Sequence, residues 1–260
     1  MGVGIKSSQG YRMVDEKTRF HSVGMTWAER AALGGLKAVL SPTGLGRENL
    51  FLHGIHCFGA AQTLRYFPTD RPMIDFGCGN GRFARYFALK GRHVVGTEIT
   101  PEMALDAKQQ CPSGACEFVI TDGVLIPVKD NSISGIWCCA VLRYSLLGDN
   151  PCYAEITTEM FRVLRPGAYV ANCEMYVDVP PERFTEGFER AGFRTRRVLV
   201  LNRYYGKLER WLKNRYIPDS WLHLSAAVSA GLRARFDDPN RPVQGLRDYL
   251  FIWQKPADKD

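Results

Sequence analysis

Three glycines and an acid stand together in one short stretch of the chain. Asp75 ends an apolar run that predicts a buried strand, and Gly77, Gly79 and Gly81 follow at every second position before a helical pattern begins. Because glycine has no side chain, a ligand can approach the backbone closely at such positions. The spacing is tighter than the Gly-x-Gly-x-x-Gly of dinucleotide-binding enzymes, and either spacing alone is weak evidence. The stretch predicts a ligand-binding turn between a strand and a helix.

Two further acids follow the next predicted strands. Glu98 stands at the end of the second strand, where a carboxylate can accept hydrogen bonds from both hydroxyls of a ribose. Asp122 follows the third strand, where it could reach an adenine amine, although Asp-Gly is also an ordinary turn sequence. This context strengthens the prediction of a ligand site.

The elements that position these residues follow from the hydrophobic pattern. From Pro72 onward, short apolar runs alternate with amphipathic stretches, which is typical of repeated strand-helix units and a parallel sheet. The predicted strands are residues 73–76, 93–97, 117–121, 135–140, 168–175, 195–202 and 246–253. Helical spacing covers Thr26 to Leu40, Glu48 to Phe67, 204–215 and 220–235.

This pattern divides the chain into four parts. Residues 1–71 form a helical lead-in or cap, and residues 72–202 form the core. Residues 203–245 are too long for a hairpin loop and are expected to be a helical insertion that serves as a substrate lid. Residues 246–260 supply the last core strand and a tail.

The ordered motifs of the core resemble those of class I S-adenosylmethionine-dependent methyltransferases, of the small-molecule, ubiquinone-biosynthesis-like type. The resemblance runs from about residue 72 to residue 176. It rests on Asp75-Phe-Gly-Cys-Gly-Asn-Gly81, Gly96-Thr-Glu-Ile99, Thr121-Asp-Gly123, Leu125-Ile-Pro-Val-Lys-Asp-Asn-Ser132 and Phe161-Arg-Val-Leu-Arg-Pro-Gly167. It implies an α/β fold, a Rossmann-like three-layer sandwich whose seven-stranded sheet is mostly parallel, with the last strand antiparallel.

The same resemblance implies S-adenosylmethionine as the cofactor and suggests which residues hold it. Asp75, Gly77, Cys78, Gly79 and Gly81 would lie near the methionine part, Glu98 and Ile99 at the ribose, and Asp122 and Gly123 by the adenine. Cys139, at the end of the fourth predicted strand, is also expected to contact the cofactor.

Methyl transfer from a sulfonium is an in-line displacement, so alignment and the exclusion of water carry much of the catalysis. A base is needed only if the acceptor must lose a proton. Glu174, near the carboxyl end of the fifth strand, is the candidate base because burial there would raise its pKa. Tyr144 is a candidate to orient the acceptor, since tyrosine is a poor resting base, and Arg143 to hold an anionic group.

Aromatic residues outside the core are candidates to close over the acceptor. They are Tyr11 in the lead-in and Tyr204, Tyr205 and Trp211 in the insertion. Ordinary packing is the alternative role for each of them.

Positive charge is concentrated late in the chain. The 260 residues carry a net charge of +7, and residues 190–215 contain nine Lys or Arg against Glu209 alone. Such a segment suits a phosphate, a polyanion or an acidic membrane surface, and the alternative is a solvated face that serves solubility.

The composition, and the motifs that the sequence lacks, argue against several classes of protein. With 45% hydrophobic and 12% aromatic residues the chain is neither disordered nor collagen-like, and no apolar run is long enough to span a bilayer. The first residues lack the apolar core of a signal peptide, so a cytoplasmic location is expected. The eight cysteines form no Cys-x-x-Cys pair and are expected to be reduced thiols. His53 and His56 could touch a metal from one helix, but no metal is expected.

Three functions are compatible with these features. The first is a methyltransferase that acts on an O, N or C atom of a small or medium-sized, anionic acceptor. The second is an RNA or protein methyltransferase that uses the basic segment 190–215 for a polyanion. The third is a cofactor-binding partner protein without catalytic activity.

Overall fold

The computed structural model describes residues 25–41, 46–111, 114–147, 152–177, 179–203, 206–213, 217–241 and 245–257. Within these ranges the chain forms seven strands, and each overlaps a predicted one: β1 (Met73–Phe76), β2 (Val94–Glu98), β3 (Cys116–Ile120), β4 (Ile133–Cys139), β5 (Leu164–Val177), β6 (Arg194–Arg203) and β7 (Arg247–Gln254). The helices are α1 (Trp27–Ala31), α2 (Gly35–Val39), α3 (Gly46–Thr63), α4 (Arg82–Ala88), α5 (Pro101–Gln110), α6 (Leu142–Leu147), α7 (Tyr153–Val163), α8 (Glu182–Arg190), α9 (Lys207–Lys213) and α10 (Asp219–Phe236).

The strands form one sheet in the order β3-β2-β1-β4-β5-β7-β6. β1 pairs in parallel with β2 and β4, β2 with β3, and β4 with β5. β7 runs antiparallel to both β5 and β6, so the predicted mostly parallel sheet with an antiparallel last strand is confirmed. The chain order reverses at β1, and open α/β sheets bind ligands at the carboxyl ends of the strands beside such a point.

Helices cover both faces of this sheet and complete the predicted three-layer sandwich. On one face, Ile156 of α7 and Phe184 of α8 belong to the buried core. On the other face, Phe51 of α3 and Leu222 of α10 pack into a second buried cluster. Because both faces are covered, β1 and β2 are buried along their whole length.

Within the stretch of helical spacing from Thr26 to Leu40, the chain forms two short helices, α1 and α2. Gly34 and Gly35 have φ angles of +65° and +51°, which interrupt a right-handed helix. The start of α1 is fixed by a capping box, in which the Thr26 hydroxyl accepts the Glu29 N–H and the Glu29 carboxylate accepts the Thr26 N–H.

The insertion contributes α9 and α10. α10 lies close against α3 because Gly54 has no side chain, and a Cβ there would be 2.6 Å from the His223 carbonyl oxygen. The role of the insertion as a substrate lid stays a prediction. Every helix in the described ranges is too short or too polar to cross a bilayer.

The close packing of β4 against the turn after α3 gives a test of the fold. Gly135 has no room for a Cβ, which would meet Phe67 Cδ1 at 2.3 Å, so Gly135→Ala should lower the free energy of unfolding by about 1 to 3 kcal/mol. Gly46→Ala is the control, because a Cβ there meets nothing within 4 Å and should be neutral or slightly stabilising. Equal urea midpoints for the two variants would contradict this packing.

Candidate active site

A cleft of about 910 Å³, open solvent included, lies at the carboxyl ends of β1, β2 and β4. Most of the predicted site residues line it: Asp75, Gly77, Cys78, Gly79, Glu98, Ile99, Gly123, Cys139 and Tyr144. The lining does not include Gly81, Asp122, Arg143, Glu174 or Trp211. The predicted Tyr11, Tyr204 and Tyr205 fall outside the described residues.

The glycine turn after β1 forms the floor of the cleft. Gly77 and Gly79 have φ angles of +65° and +53°, a conformation that favours glycine. A Cβ at Gly77 would lie 2.6 Å from Val141 Cγ2, and one at Gly79 would lie 2.8 Å from Val39 Cγ1. Gly81 serves packing instead, since its φ is also positive and a Cβ there would meet α5.

Glu98 fixes the shape of two loops from the end of β2. One carboxylate oxygen accepts the Gly79 N–H at 2.7 Å, and the other accepts the N–H groups of Ile99 and Thr100 at 2.9 and 3.1 Å. The side chain is buried, and this burial raises the pKa of the Glu98 carboxyl. Glu98 therefore joins the glycine turn to the next loop while its carboxylate borders the cleft.

Asp75 presents an unsatisfied oxygen to the cleft. Its side chain is 2% exposed, and Oδ2 has no hydrogen-bond partner among the described residues. The pKa of Asp75 is raised to about 8, mainly by burial and secondly by the nearby Cys139. A buried carboxylate oxygen without a donor is costly, and a positively charged donor from a ligand would offset that cost.

Asp122 shapes the loop after β3. Its Oδ1 accepts the N–H groups of Val124 and Leu125 at 2.9 and 2.8 Å, and its neighbours Thr121 and Gly123 line the cleft. The predicted contact of Asp122 with an adenine stays a prediction, while its contacts show that it holds this loop.

The two lead-in helices cover the cleft, which the sequence pattern did not predict in detail. Trp27 of α1 and Val39 of α2 line it. Asn80 Nδ2 donates to the Gly35 carbonyl at 2.9 Å, which ties α2 to the glycine turn. The Trp27 ring contacts Tyr144 edge-on, with centroids 6.2 Å apart, and the Arg30 guanidinium lies 4.3 Å from the Trp27 ring centroid.

Arg82 is a lining residue that the sequence analysis missed. Its guanidinium donates to Nδ1 of His53 and of His56 at 3.3 and 3.2 Å, and to Cys139 Sγ at 3.6 Å. Burial raises the pKa of the Cys139 thiol, but the hydrogen bond from Cys173 and the adjacent His56 and Arg82 outweigh it and lower the pKa well below its usual value. Cys139 thus borders the cleft with a sulfur that accepts a hydrogen bond from Arg82.

Two groups of side chains near Arg82 have the spacing of metal ligands. They are His56 with Cys139 and Cys173, and His53 with Cys57 and His223, each with ligand atoms within 4.8 Å of one another. Arg82 already donates to both histidines and to Cys139, so its positive charge stands where it would repel a cation.

Glu174 lies below α6 rather than in the cleft wall. Its carboxylate accepts the Arg143 N–H at 3.1 Å and the Asn172 amide at 3.4 Å, and the side chain is 1% exposed. The pKa of Glu174 is raised to about 8, mainly by burial and secondly by the nearby Cys139. These contacts hold the start of α6, which carries Tyr144 into the cleft.

In the described part of the basic segment 190–215, the arginines do not all lie together. Arg194 pairs with Gln254 at one end of β6, and Arg203 pairs with Arg247 at the other. The strand has 10 residues, so its ends are about 30 Å apart. Trp211, on α9, is 56% exposed.

Comparisons with known proteins agree with this geometry. Residues 74–172 match a family model described as a methyltransferase domain. The chain is 30% identical over 101 residues to the malonyl-(acyl-carrier protein) O-methyltransferase of Pectobacterium atrosepticum, covering 38% of this chain and 36% of that protein. It is 31% identical over 109 residues to the N-demethylindolmycin N-methyltransferase of Streptomyces griseus, covering 41% and 45%. Each match therefore spans less than half of the relative's length.

A solved structure with the same fold covers more of the chain. The geranyl diphosphate C-methyltransferase of Streptomyces coelicolor A3(2) superposes with a TM-score of 0.56 over 88% of each chain, at 12% identity. At that identity the similarity shows the fold alone. The domain match and the curated relatives confirm the predicted class for the matched part of the chain: residues 74–172 are a class I S-adenosylmethionine-dependent methyltransferase domain.

The cleft fits that cofactor on its own features. The unpartnered Oδ2 of Asp75 matches a ligand ammonium group, and the turn at Gly77 and Gly79 leaves backbone that side chains would otherwise cover. The carboxylate of Glu98 borders the same cleft and has lone pairs beyond those its three backbone donors use.

The raised pKa of Asp75 predicts proton-linked cofactor binding. An ammonium ligand favours the carboxylate, so binding should release a proton below pH about 8. The affinity for S-adenosylhomocysteine should therefore fall by up to about tenfold per pH unit as the pH drops from about 8 to 6. Calorimetry in buffers of different ionisation enthalpy measures the released proton.

Two variants check the assignment of this proton. Asp75→Asn should remove both the proton release and the pH slope, whereas Glu117→Gln, at a half-exposed position on β3, should keep them. An unchanged slope in Asp75→Asn would assign the proton to another group.

Proposed function

We propose that the chain transfers a methyl group from S-adenosylmethionine to an oxygen, nitrogen or carbon atom of a small or medium-sized, anionic acceptor. The observation that carries this proposal is the cleft edge where the unpartnered oxygen of Asp75 lies beside the Gly77–Gly79 turn and the carboxylate of Glu98. The cofactor supplies a methyl group on a sulfonium, whose loss leaves a neutral sulfide.

The proposed cofactor contacts follow from these groups. Asp75 accepts the methionine ammonium, and the backbone of Gly77 and Gly79 borders the methionine part. Glu98 accepts the ribose hydroxyls while it keeps the glycine turn in place. Gly123, beside Asp122, borders the adenine.

The contribution of this chain to the reaction is alignment and exclusion of water. Trp27 and Val39 cover the cleft from the lead-in, and Tyr144 supports Trp27 edge-on from α6. An in-line displacement gains most from such fixed geometry, since the protein need not reorganise as the methyl group moves.

The anionic character of the acceptor rests on cations beside the cleft. Arg82 lines the wall, and Arg143 precedes Tyr144 at the start of α6. The two relatives named above act, by their names, on different acceptors and different atoms, so the sequence match does not select one. The lid role of Trp211, Tyr204, Tyr205 and Tyr11 remains part of this proposal.

Binding of S-adenosylhomocysteine to the full chain tests the cofactor assignment. Glu98→Ala should weaken it by about 1.5 to 3 kcal/mol, the scale of hydrogen bonds to a charged group. Glu117→Gln is the control, because Glu117 has its carboxylate on the outer edge strand beside His93. Equal affinity of wild type and Glu98→Ala in calorimetry would refute the ribose assignment.

Transfer of labelled methyl to small carboxylates and phosphates then tests the acceptor class. Label incorporation that requires an anionic group supports the proposal. Cofactor binding without transfer to any acceptor would indicate a binding protein, and label found only in RNA or protein would replace the small acceptor.

Glu174→Gln separates a base from a positioning residue. As a base, Glu174 must lose its proton, so wild-type turnover should rise with pH up to about 8, and the variant should lose both turnover and this rise. If the carboxylate only holds the Arg143 N–H, turnover should fall without a change in the pH profile. Cofactor affinity should stay intact in both cases, and wild-type turnover in the variant would exclude either role.

The same variant has an expected effect on stability. Because the folded pKa of Glu174 is raised, the folded state binds the proton more tightly than the unfolded state, and this contribution to stability is lost as the pH rises toward 8. Glu174→Gln cannot titrate and so should not lose stability in this way. The difference in urea midpoint, variant minus wild type, should therefore increase as the pH rises from about 5 to 8.

A further inference from the structure

The outer side of α10 carries a continuous row of exposed apolar side chains. Trp221, Leu224, Val228, Leu232 and Phe236 follow one another at spacings of three or four residues, which places them on one face of the helix. Each is between 45% and 73% exposed. We name these five residues the outer face.

The other side of α10 is already used by the fold. Leu222, Ala226 and Ala230 are fully buried against α3 and the sheet. The helix has 18 residues and is therefore about 27 Å long. Single exposed apolar residues are common on proteins, but a contiguous apolar strip of this length marks an interaction surface.

Exposed positive charges lie on α10 and on the segments next to it. Exposed Lys207 and Arg210 lie on α9, which packs on α10, and exposed Arg235 and Arg241 lie at and beyond the end of α10. We name these four residues the basic rim. Trp211 is also exposed on α9.

The acids of this region are largely engaged in ion pairs. Asp219 pairs with Arg47, Glu209 with Arg233 at 2.7 Å, and Asp237 with Arg203 at 2.7 Å. Exposed Asp238, two residues beyond α10, has no such pair among the described residues. The exposed cations of α10 and its neighbouring segments therefore outnumber the unpaired acids, and the Arg235 guanidinium lies 5.6 Å from the Phe236 ring centroid.

We propose that the outer face and its basic rim bind the surface of an anionic lipid bilayer. A helix with one apolar face, tryptophan beside it and Lys or Arg at its borders lies in the plane of a membrane interface, with the apolar face in the headgroup region. α10 does not cross the bilayer, since it is too polar to do so. A second copy of the chain fits less well, because pairing of two outer faces would bring two basic rims together.

The inner side of α10 is connected to the cleft by direct contacts. The His223 ring on α10 lies 5.4 Å from the His53 ring, and His53 accepts from Arg82 in the cleft wall. A bilayer bound at the outer face would thus be separated from Arg82 by α10 and the His53 ring.

Sedimentation with lipid vesicles tests the proposal on the full chain. The protein should bind vesicles of equal parts phosphatidylglycerol and phosphatidylcholine, and should bind pure phosphatidylcholine at least about tenfold more weakly. Binding should also fall when NaCl is raised from about 0.05 to 0.5 M, because salt screens the basic rim.

Matched variants assign the binding to this surface. Leu224→Gln combined with Leu232→Gln should weaken vesicle binding by about tenfold or more. Leu89→Gln combined with Leu105→Gln removes two leucines of similar exposure elsewhere and should leave binding unchanged. Lys207→Gln combined with Arg210→Gln should reduce both binding and its dependence on salt. Circular dichroism and S-adenosylhomocysteine binding show that each variant is folded.

Three results would overturn the proposal. They are failure of the wild type to bind the anionic vesicles, equal binding by the outer-face and control variants, and a concentration-dependent dimer that the outer-face variant abolishes in the absence of vesicle binding. The last result would assign the surface to a second copy of the chain.

Discussion

The carboxylate of Glu98 ties the loop after β2 to the glycine turn after β1, and the cleft depends on this contact. It accepts from Gly79 on one side and from Ile99 and Thr100 on the other, so one buried group fixes both loops. The glycine turn can lie close to β2 because Gly96 lacks a side chain, and a Cβ there would lie 2.9 Å from Cys78 Sγ. Burying a carboxylate costs free energy, and the three N–H donors offset that cost. The ligand-facing backbone is thereby fixed before any ligand binds.

The glycine turn, the acids beside it and the seven strands were predictable from sequence because each depends on a short stretch of chain. A buried parallel strand has a continuous apolar run, and a close ligand approach has its glycines. The lining by Arg82 and Trp27 was not predictable, since it depends on how α3 and α1 pack against distant parts of the chain. α8 was missed although its sequence had a signal, the spacing of Phe184 and Phe188, which are both buried.

The predictions for Glu174 and for the basic segment 190–215 show how a strand separates residues that are neighbours in sequence. Successive side chains of a strand point to opposite faces, so Cys173 approaches Cys139 and His56, while Glu174 lies with Asn172 on the other side of the sheet. Sequence alone places Glu174 at the rim but does not tell which face it takes. In the same way, the arginines of residues 190–215 are adjacent in sequence, yet β6 carries Arg194 and Arg203 to its two ends.

The contacts of His53 connect the cofactor cleft with the outer layer of the fold. Burial, followed by the charge of Arg82, lowers the pKa of His53 to about 3, so the ring is neutral at neutral pH and accepts the hydrogen bond from Arg82. The ring also packs on His223 of α10. His53 itself therefore keeps one charge state across the physiological range. It joins Arg82 to α10 by a hydrogen bond on one side and ring packing on the other, so the position of the cleft wall is linked to the position of α10 through contacts of a neutral ring.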